Sequence, residues 1–240
     1  ERATITNMGA ELGATTSIFP SDEVTRQFMA AQDREADWSP LASDPDAEYA
    51  ESYSINLSEL EPLAACPNSP DNVRPVRELA GIKVDQVAMG SCTNSSFADM
   101  TKTASVLKGH KVADGVSLGI SPGSRQVFSM MAESGALTDM IDAGARILEC
   151  ACGPCIGMGF SPNSKGVSLR TFNRNFLGRS GTKDGQVYLV SPETAAASAL
   201  TGFITDPTTL PPIAQPQQPD RFRINDDGII APLPVAEAAA

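Results

Sequence analysis

From Val84 to Leu200 the chain repeats one unit: a short apolar or β-branched run, a turn of small residues, then a longer helical run. Val84 to Met89 is strand-like, followed by the turn Gly90-Ser91-Cys92-Thr93-Asn94-Ser95 and a helical run from Phe97 to Leu107. Gly115 to Ile120 predicts a second strand, ahead of Ser121-Pro122-Gly123-Ser124 and a helix from about Arg125 to Glu133. Ala145 to Leu148 starts a third strand that runs into a cysteine-bearing turn. Gly166 to Thr171 and Gln186 to Val190 predict the fourth and fifth, the last entering the alanine-rich helix Pro192 to Leu200. Strands and helices alternating at about thirty-residue spacing imply right-handed crossovers, so the predicted fold class is α/β, a doubly wound parallel sheet with helices on both faces. In such sheets the ligand site lies beyond the carboxyl ends of the strands, which places three of these turns on one edge.

The flanks read differently. Ala3 to Pro20 mixes Thr, Ile and small residues around the turn-like Asn7-Met8-Gly9-Ala10-Glu11, and a helix is predicted from Asp22 to about Ala31, with its acidic residues in the first turn. Asp33 to Ser54 is polar and acidic, a surface loop with a short helix. Pro62, Pro67, Pro70 and Pro75 exclude a continuous helix or central strand over Glu61 to Pro75, which reads as an interdomain linker with Cys66 as a free thiol inside it. From Asp206 onward Pro207, Pro211, Pro212, Pro216 and Pro219 predict a semi-rigid tether, followed by a hairpin-like piece at Phe222 to Ile230. The domain expectation is therefore three parts. Residues 1–75 form the end of a preceding α/β domain and linker, 76–206 the cysteine-bearing α/β/α domain, and 207–240 a tether toward a further, swivelling domain.

Charge and cysteine usage narrow the partners. A net charge of −11 makes nucleic acid an unfavourable partner for the chain as a whole, so an anionic ligand must be met by a few local arginines. No apolar run is long enough to span a bilayer, so no membrane partner is expected. Five cysteines, an odd number without a secretory segment, argue for a reducing compartment, cytoplasm or mitochondrial matrix, and for metal-binding or catalytic thiols.

The chemistry centres on Glu149 to Gly159, E-C-A-C-G-P-C-I-G-M-G. Cys92 leaves the end of the first predicted strand, and Cys152 and Cys155 leave the end of the third, so three thiolates converge on one edge. A C-x-x-C pair and a distant third cysteine suit an iron–sulfur cubane whose fourth iron stays open as a Lewis acid. A zinc site needs a fourth Cys or His, and the lone histidine, His110 between Gly109 and Lys111, reads as an exposed turn residue. Cys150 sits on the strand side of the turn and reads as a buried thiol. A thioredoxin-like pair would leave Cys92 unexplained. Beyond the fourth strand, Arg174 and Arg179 flank a turn beside the same edge, and two guanidiniums there suit carboxylates.

At N-M-G-A-E-L-G-A-T-T-S (Asn7 to Ser17), G-S-C-T-N-S (Gly90 to Ser95), A-C-G-P-C-I-G (Ala151 to Gly157) and N-R-N-F-L-G-R (Asn173 to Arg179) the chain resembles the aconitase superfamily, and within it the aconitate hydratases. The resemblance covers Ala3 to about Pro207. It implies a 4Fe–4S cluster on Cys92, Cys152 and Cys155, with citrate, cis-aconitate or isocitrate, a small tri- or dicarboxylate, as substrate. Glu11 would hydrogen-bond the hydroxyl that leaves or returns, Asn7 and Asn173 would hydrogen-bond around the cluster, and Arg174 and Arg179 would hold substrate carboxylates.

The resemblance also implies partners in N-terminal and C-terminal domains of the same protein, carrying further acid–base residues and a serine base, and hence little hydratase activity from the 240 residues alone. Two other readings stay open. One is the large-subunit core of 3-isopropylmalate dehydratase or homoaconitase. The other, of a different class, is an apo RNA-binding or structural domain.

Overall fold

The computed structural model describes residues 2–212, 219–227 and 230. Its centre is a seven-stranded sheet built from β1 (Leu63–Ala65), β2 (Val73–Pro75), β3 (Gln86–Gly90), β4 (Ser117–Ser121), β5 (Arg146–Ile147), β6 (Val167–Arg170) and β7 (Gln186–Leu189), in the order β2-β1-β7-β6-β3-β4-β5. β3 to β7 are mutually parallel, and β1 alone runs against them, pairing antiparallel with β7 on one side and with the edge strand β2 on the other. The expected α/β class and parallel sheet are observed. The chain leaves β3 in one direction through β4 and β5, then crosses back to β6 and β7 on the other side. That topological switch falls between β3 and β6, the place where ligands bind at the carboxyl ends in sheets of this kind.

Helices α1 (Arg2–Met8), α2 (Glu23–Ala31), α3 (Phe97–Leu107), α4 (Arg125–Ser134), α5 (Ala136–Ala143) and α6 (Pro192–Thr201) complete the set of α-helices among the described residues. Their starts are written locally. Ser96 and Asp99 form a reciprocal capping box on α3, Ser124 caps α4, and Ser191 caps α6 with Pro192 in the first turn. Helices α3 to α6 pack on one another in a layer, with α6 on β3. This layer covers the face carrying Val87, Met89, Leu118, Ile120 and Leu169, all buried. The opposite face is covered by Phe160 and Phe172, packed with Ala88, Leu148 and Cys155, and so by loop and 3-10 turn. Gly119 makes room there, since a Cβ would collide with the Phe160 ring.

Three readings are corrected. Glu61 to Pro75 is not a linker without strands: β1 lies inside the sheet, flanked by Pro62 and Pro67, which stand outside the three paired residues and break no ladder bond. Two helices were not predicted: Arg2–Met8, which leads into the 3-10 turn Gly9–Leu12 where turn-like sequence was read, and α5, which starts at Gly135, whose φ of 81° lets the chain turn sharply after α4. The hairpin expected over Phe222 to Ile230 lies partly outside the described residues, and residues 222–227 form no ladder.

Instead this stretch docks on α2 and α4. Phe222 is buried against Ala31 and Met130, its N–H donates to Ala31 O at 2.8 Å, and Gln126 Nε2 donates to Arg223 O at 2.9 Å. Residues 213–218 and 231–240 of the expected tether lie outside the described residues. No helix among the described residues is long and apolar enough to cross a membrane.

Candidate functional site

Three segments leave the carboxyl edge of the sheet and meet. The first follows β3, where Gly90 (φ 107°) and Ser91 (φ 68°) both adopt left-handed backbone to turn the chain before α3. A Cβ on Gly90 would strike the Ser121 carbonyl of the neighbouring strand, so this strand end is built for glycine. The second follows β5 and contains the 3-10 turn Gly153–Ile156, started by Pro154 and stopped by Gly157 at φ 85°. The third follows β6 and carries Asn173 to Arg179. The second and third segments touch backbone to backbone, because a side chain on Gly157 would overlap the Ser180 carbonyl. Helix α1 and the 3-10 turn after it, Gly9–Leu12, close the group from above the edge.

The predicted residues fall as follows. Cys92 and Cys152 are exposed, and Cys155 is half-buried. Ser91 Oγ lies 2.8 Å from Cys155 Sγ and 3.8 Å from Cys92 Sγ, linking the two cysteine turns through one hydroxyl. Asn7 is the hub on the other side. Its Oδ1 accepts from Asn173 Nδ2 at 2.8 Å and from Thr93 Oγ1 at 3.2 Å, and its Nδ2 reaches Cys92 O at 3.5 Å.

Glu11 pairs with Arg174 through Nε, and its side chain is only 4% exposed against 41% for the arginine. Arg179 is half-buried, and its buried Nε has no acceptor. Thus Asn7 is bonded to Cys92 and Asn173, Glu11 is paired separately with Arg174, Cys152 and Cys155 share the adjoining turn, and Arg179 contributes one unpartnered buried donor.

Electrostatics show how close the thiols stand. Burial pushes the Cys155 thiol up, opposed by the Ser91 hydrogen bond and reinforced by the neighbouring Cys152 and Cys92. Burial also works against ionisation of Cys92, but hydrogen bonds from Asn7, Thr93 and Ser91 outweigh it and bring that thiol below its ordinary value. The Glu11 carboxylate raises the Arg174 guanidinium further, so Arg174 stays charged.

Among the described residues no three of His, Cys, Asp or Glu stand close enough to grip one metal ion. A mononuclear zinc site gathers its ligands around one point, whereas a cubane asks each thiolate to hold its own iron. The three thiols come from two turns, with the Ser91 and Thr93 hydroxyls beside the sulfurs of Cys92 and Cys155. His110 is exposed beyond the end of α3, at the other edge of the sheet. Cys150, expected to be buried, is half-exposed, since it stands outside the short β5. Cys66 is buried and free, and burial raises its thiol. Three clefts among the described residues, lined around Arg146, around Ser124 and Gln126, and around Thr93 and Phe172, do not include these cysteines.

One residue carries no expected role. Arg170, within the predicted strand Gly166 to Thr171, is fully buried, behind the cysteine turn. Desolvation holds its guanidinium down at about 10, with the nearby Cys155 acting the other way. The signal was present in V-S-L-R: period-2 alternation puts Ser168 and Arg170 on the strand face that Val167 and Leu169 do not use.

Comparison with known proteins agrees with this geometry. Residues 1–81 and 74–202 match the sequence profile of the aconitase family (aconitate hydratase). The chain is 42% identical over 208 residues to the 3-isopropylmalate dehydratase large subunit 2 of Archaeoglobus fulgidus, covering 86% of this chain and 50% of that protein. It is 43% identical over 211 residues to large subunit 1 of the Thermotoga maritima enzyme, covering 86% and 50%. It is 45% identical over 207 residues to a probable methanogen homoaconitase large subunit of Methanosarcina mazei, covering 86% and 52%. The chain thus spans about half the length of the curated relatives it matches.

Proposed function

The chain belongs to the aconitase family, and from that premise we propose that it carries the cluster-binding core of a hydro-lyase of the 3-isopropylmalate dehydratase or homoaconitase type. The relatives named above favour this over the citrate–isocitrate reading that the A-C-G-P-C-I-G wording first supported. The observation that carries it is the meeting of Cys92, Cys152 and Cys155 beside an ion-paired Glu11 and Arg174. The substrate class is a small hydroxy di- or tricarboxylate, dehydrated and rehydrated. The relatives are named large subunits, so we infer a second, smaller chain as partner, supplying what the resemblance had assigned to a further domain of the same protein.

A 4Fe–4S cluster on Cys92, Cys152 and Cys155 would supply a Lewis acid for the substrate hydroxyl and a carboxylate. The chain's own residues then divide the remaining work. The Glu11 carboxylate, nearly excluded from water, exchanges a proton with the departing or returning hydroxyl while Arg174 fixes its orientation. Arg179, with an unused buried donor, and the remaining Nη groups of Arg174 receive substrate carboxylates. Asn7 and Asn173 hold α1 against the Cys92 turn and set the distance between Glu11 and the thiolates.

The test is anaerobic reconstitution with iron and sulfide, read by visible and EPR spectra, metal counts and zinc analysis. A cluster that is lost in C92S supports the reading; stoichiometric zinc ends it. Turnover by the complete protein on 3-isopropylmalate or a homoaconitase substrate, compared with citrate, then decides specificity. A preference for citrate restores the aconitate hydratase reading, and turnover by the 240 residues alone removes the need for a partner.

A further inference from the structure

Arg170 is the largest fully buried side chain among the described residues. It ends β6 on the sheet face away from the helices, and its guanidinium donates to four acceptors. Nε bonds Ser168 Oγ at 3.1 Å, Nη1 bonds Pro154 O at 2.6 Å, and Nη2 bonds Gln86 Oε1 and Phe160 O, each at 3.0 Å. Two acceptors belong to the strands and are locked to each other, Ser168 Oγ donating to Gln86 Oε1 at 2.8 Å. The other two are main-chain carbonyls of the cysteine segment, one on either side of Cys155. Gln86 Nε2 adds a third hold on the same segment, donating to Ser161 O at 2.9 Å. The Phe172 ring lies 5.4 Å from the guanidinium carbon.

No carboxylate is paired with Arg170 among the described residues. A buried guanidinium without a countercharge is costly, and core packing alone would be served by an apolar side chain of similar volume. Its fork geometry, however, can bridge two carbonyls at once, which lysine cannot.

We propose that Arg170 is a positioning residue for the cysteine turn: through Pro154 O and Phe160 O it fixes where Cys152 and Cys155 stand, and its buried charge favours an anionic metal–thiolate cluster there. The charge role rests on reading the three cysteines as cluster ligands; the clamp does not. Partners behind metal ligands typically change metal affinity about 10- to 100-fold when altered.

The experiment compares wild type with R170M, R170K and Q86L in the 240-residue chain, first without metal and then after anaerobic loading with ferrous iron and sulfide. Without metal, hydrogen exchange at residues 153–160 quickens in R170M and R170K while α3 keeps its wild-type rates. After loading, R170M yields iron to a chelator about 10- to 100-fold more readily and its cluster is reduced at a lower potential. R170K, keeping the charge but not the fork, loses iron faster with a potential near wild type. Q86L, which removes one acceptor of the guanidinium and the hold on Ser161 O, gives a weaker form of the exchange effect and carries the test if R170M does not fold.

Unchanged exchange in the turn together with unchanged iron retention and potential overturns the proposal. A wild-type chain that takes zinc or no cluster overturns the functional reading and the charge role with it, while the exchange measurement alone still decides the clamp.

Discussion

The two faces of the central strands are built on different chemistry. Toward the helices β3, β4 and β6 present Val87, Met89, Leu118, Ile120 and Leu169; away from them they present Gln86, Ala88, Gly119, Ser168 and Arg170. Apolar burial is non-directional, so the first face needs only volume and shape, and it supplies the free energy that keeps the sheet folded. Hydrogen bonds are directional, so the second face can specify where loop carbonyls stand, and the cysteine turn is placed from there. One set of strands thus carries stability on one side and placement of the site on the other. If that division is real, the two sides respond to substitution in different observables.

The largest response belongs to the helix face. Leu169 is fully buried in the main core, and Leu169→Ala is expected to destabilise the chain by about 2–5 kcal/mol, measured by urea unfolding. Alkylation rates of the exposed Cys92 and Cys152 should stay at wild-type values under native conditions. A large change in those rates without loss of stability would show that the apolar face, too, places the thiols.

Next in size is a change on the site side. Arg179 has a buried Nε with no acceptor, a group ready for an anion. Losing a hydrogen bond to a charged group costs about 1.5–3 kcal/mol, so Arg179→Gln should weaken binding of a hydroxy dicarboxylate to the cluster-loaded protein by about tenfold to a hundredfold, while the melting temperature holds. Calorimetry with 3-isopropylmalate reads this directly, and an unchanged affinity removes Arg179 from the site.

The same division explains what the sequence made legible. Repeated units of strand, small-residue turn and helix reveal themselves through period, and the helix-side core follows from period alone, so β3 to β7 and α3, α4 and α6 lie within a few residues of expectation. The cysteines and Arg174 were legible because their chemistry is rare and their turns share an edge. What escaped was set by tertiary partners. Residues 63–65 are a strand because β7 and β2 flank them, against the local reading of four prolines. Arg2–Met8 is helical while Thr4 and Asn7 bond the Cys92 turn some ninety residues away in sequence. Arg170 was legible only as a residue of the fourth strand, because nothing local announces that its acceptors are main-chain carbonyls of residues 154 and 160.

A smaller effect sits where the two sides meet. Ser96 ends the Cys92 turn and begins α3, its Oγ accepting from Asp99 N at 3.2 Å while Asp99 Oδ2 accepts from Ser96 N at 3.1 Å. Ser96→Ala should cost about 1 kcal/mol by chemical denaturation. Because the cap belongs to the turn as well as to the helix, the same variant should speed exchange at residues 91–95, which Leu169→Ala should not do below its unfolding transition. Equal turn exchange in the two variants would mean that helix stability, and not the cap, holds the Cys92 turn.

The smallest expected effect separates the sides by pH. Asp22 caps α2, accepting from Val24 N at 3.1 Å and Thr25 N at 3.2 Å, and pairs at 2.5 Å with Arg2 of α1, the helix that carries Asn7. The Arg2 hydrogen bond above all, with the cap bonds behind it, holds the Asp22 carboxyl down at about 2 from the usual 3.8. A folded value below the unfolded one means that the contribution is present above the unfolded value and is lost as pH falls from about 4 through about 2. The group is exposed, so its share of global stability is small and the response is local. Hydrogen exchange in α1 and α2 should therefore rise between about pH 5 and about pH 2 relative to α3 to α6, and Asp22→Asn should abolish that relative rise by losing the pair at every pH. If α1 and α3 loosen together in acid, in wild type and variant alike, the site-side helix is held by the same apolar packing as the core, and the distinction between the two faces does not extend to the elements that close the site.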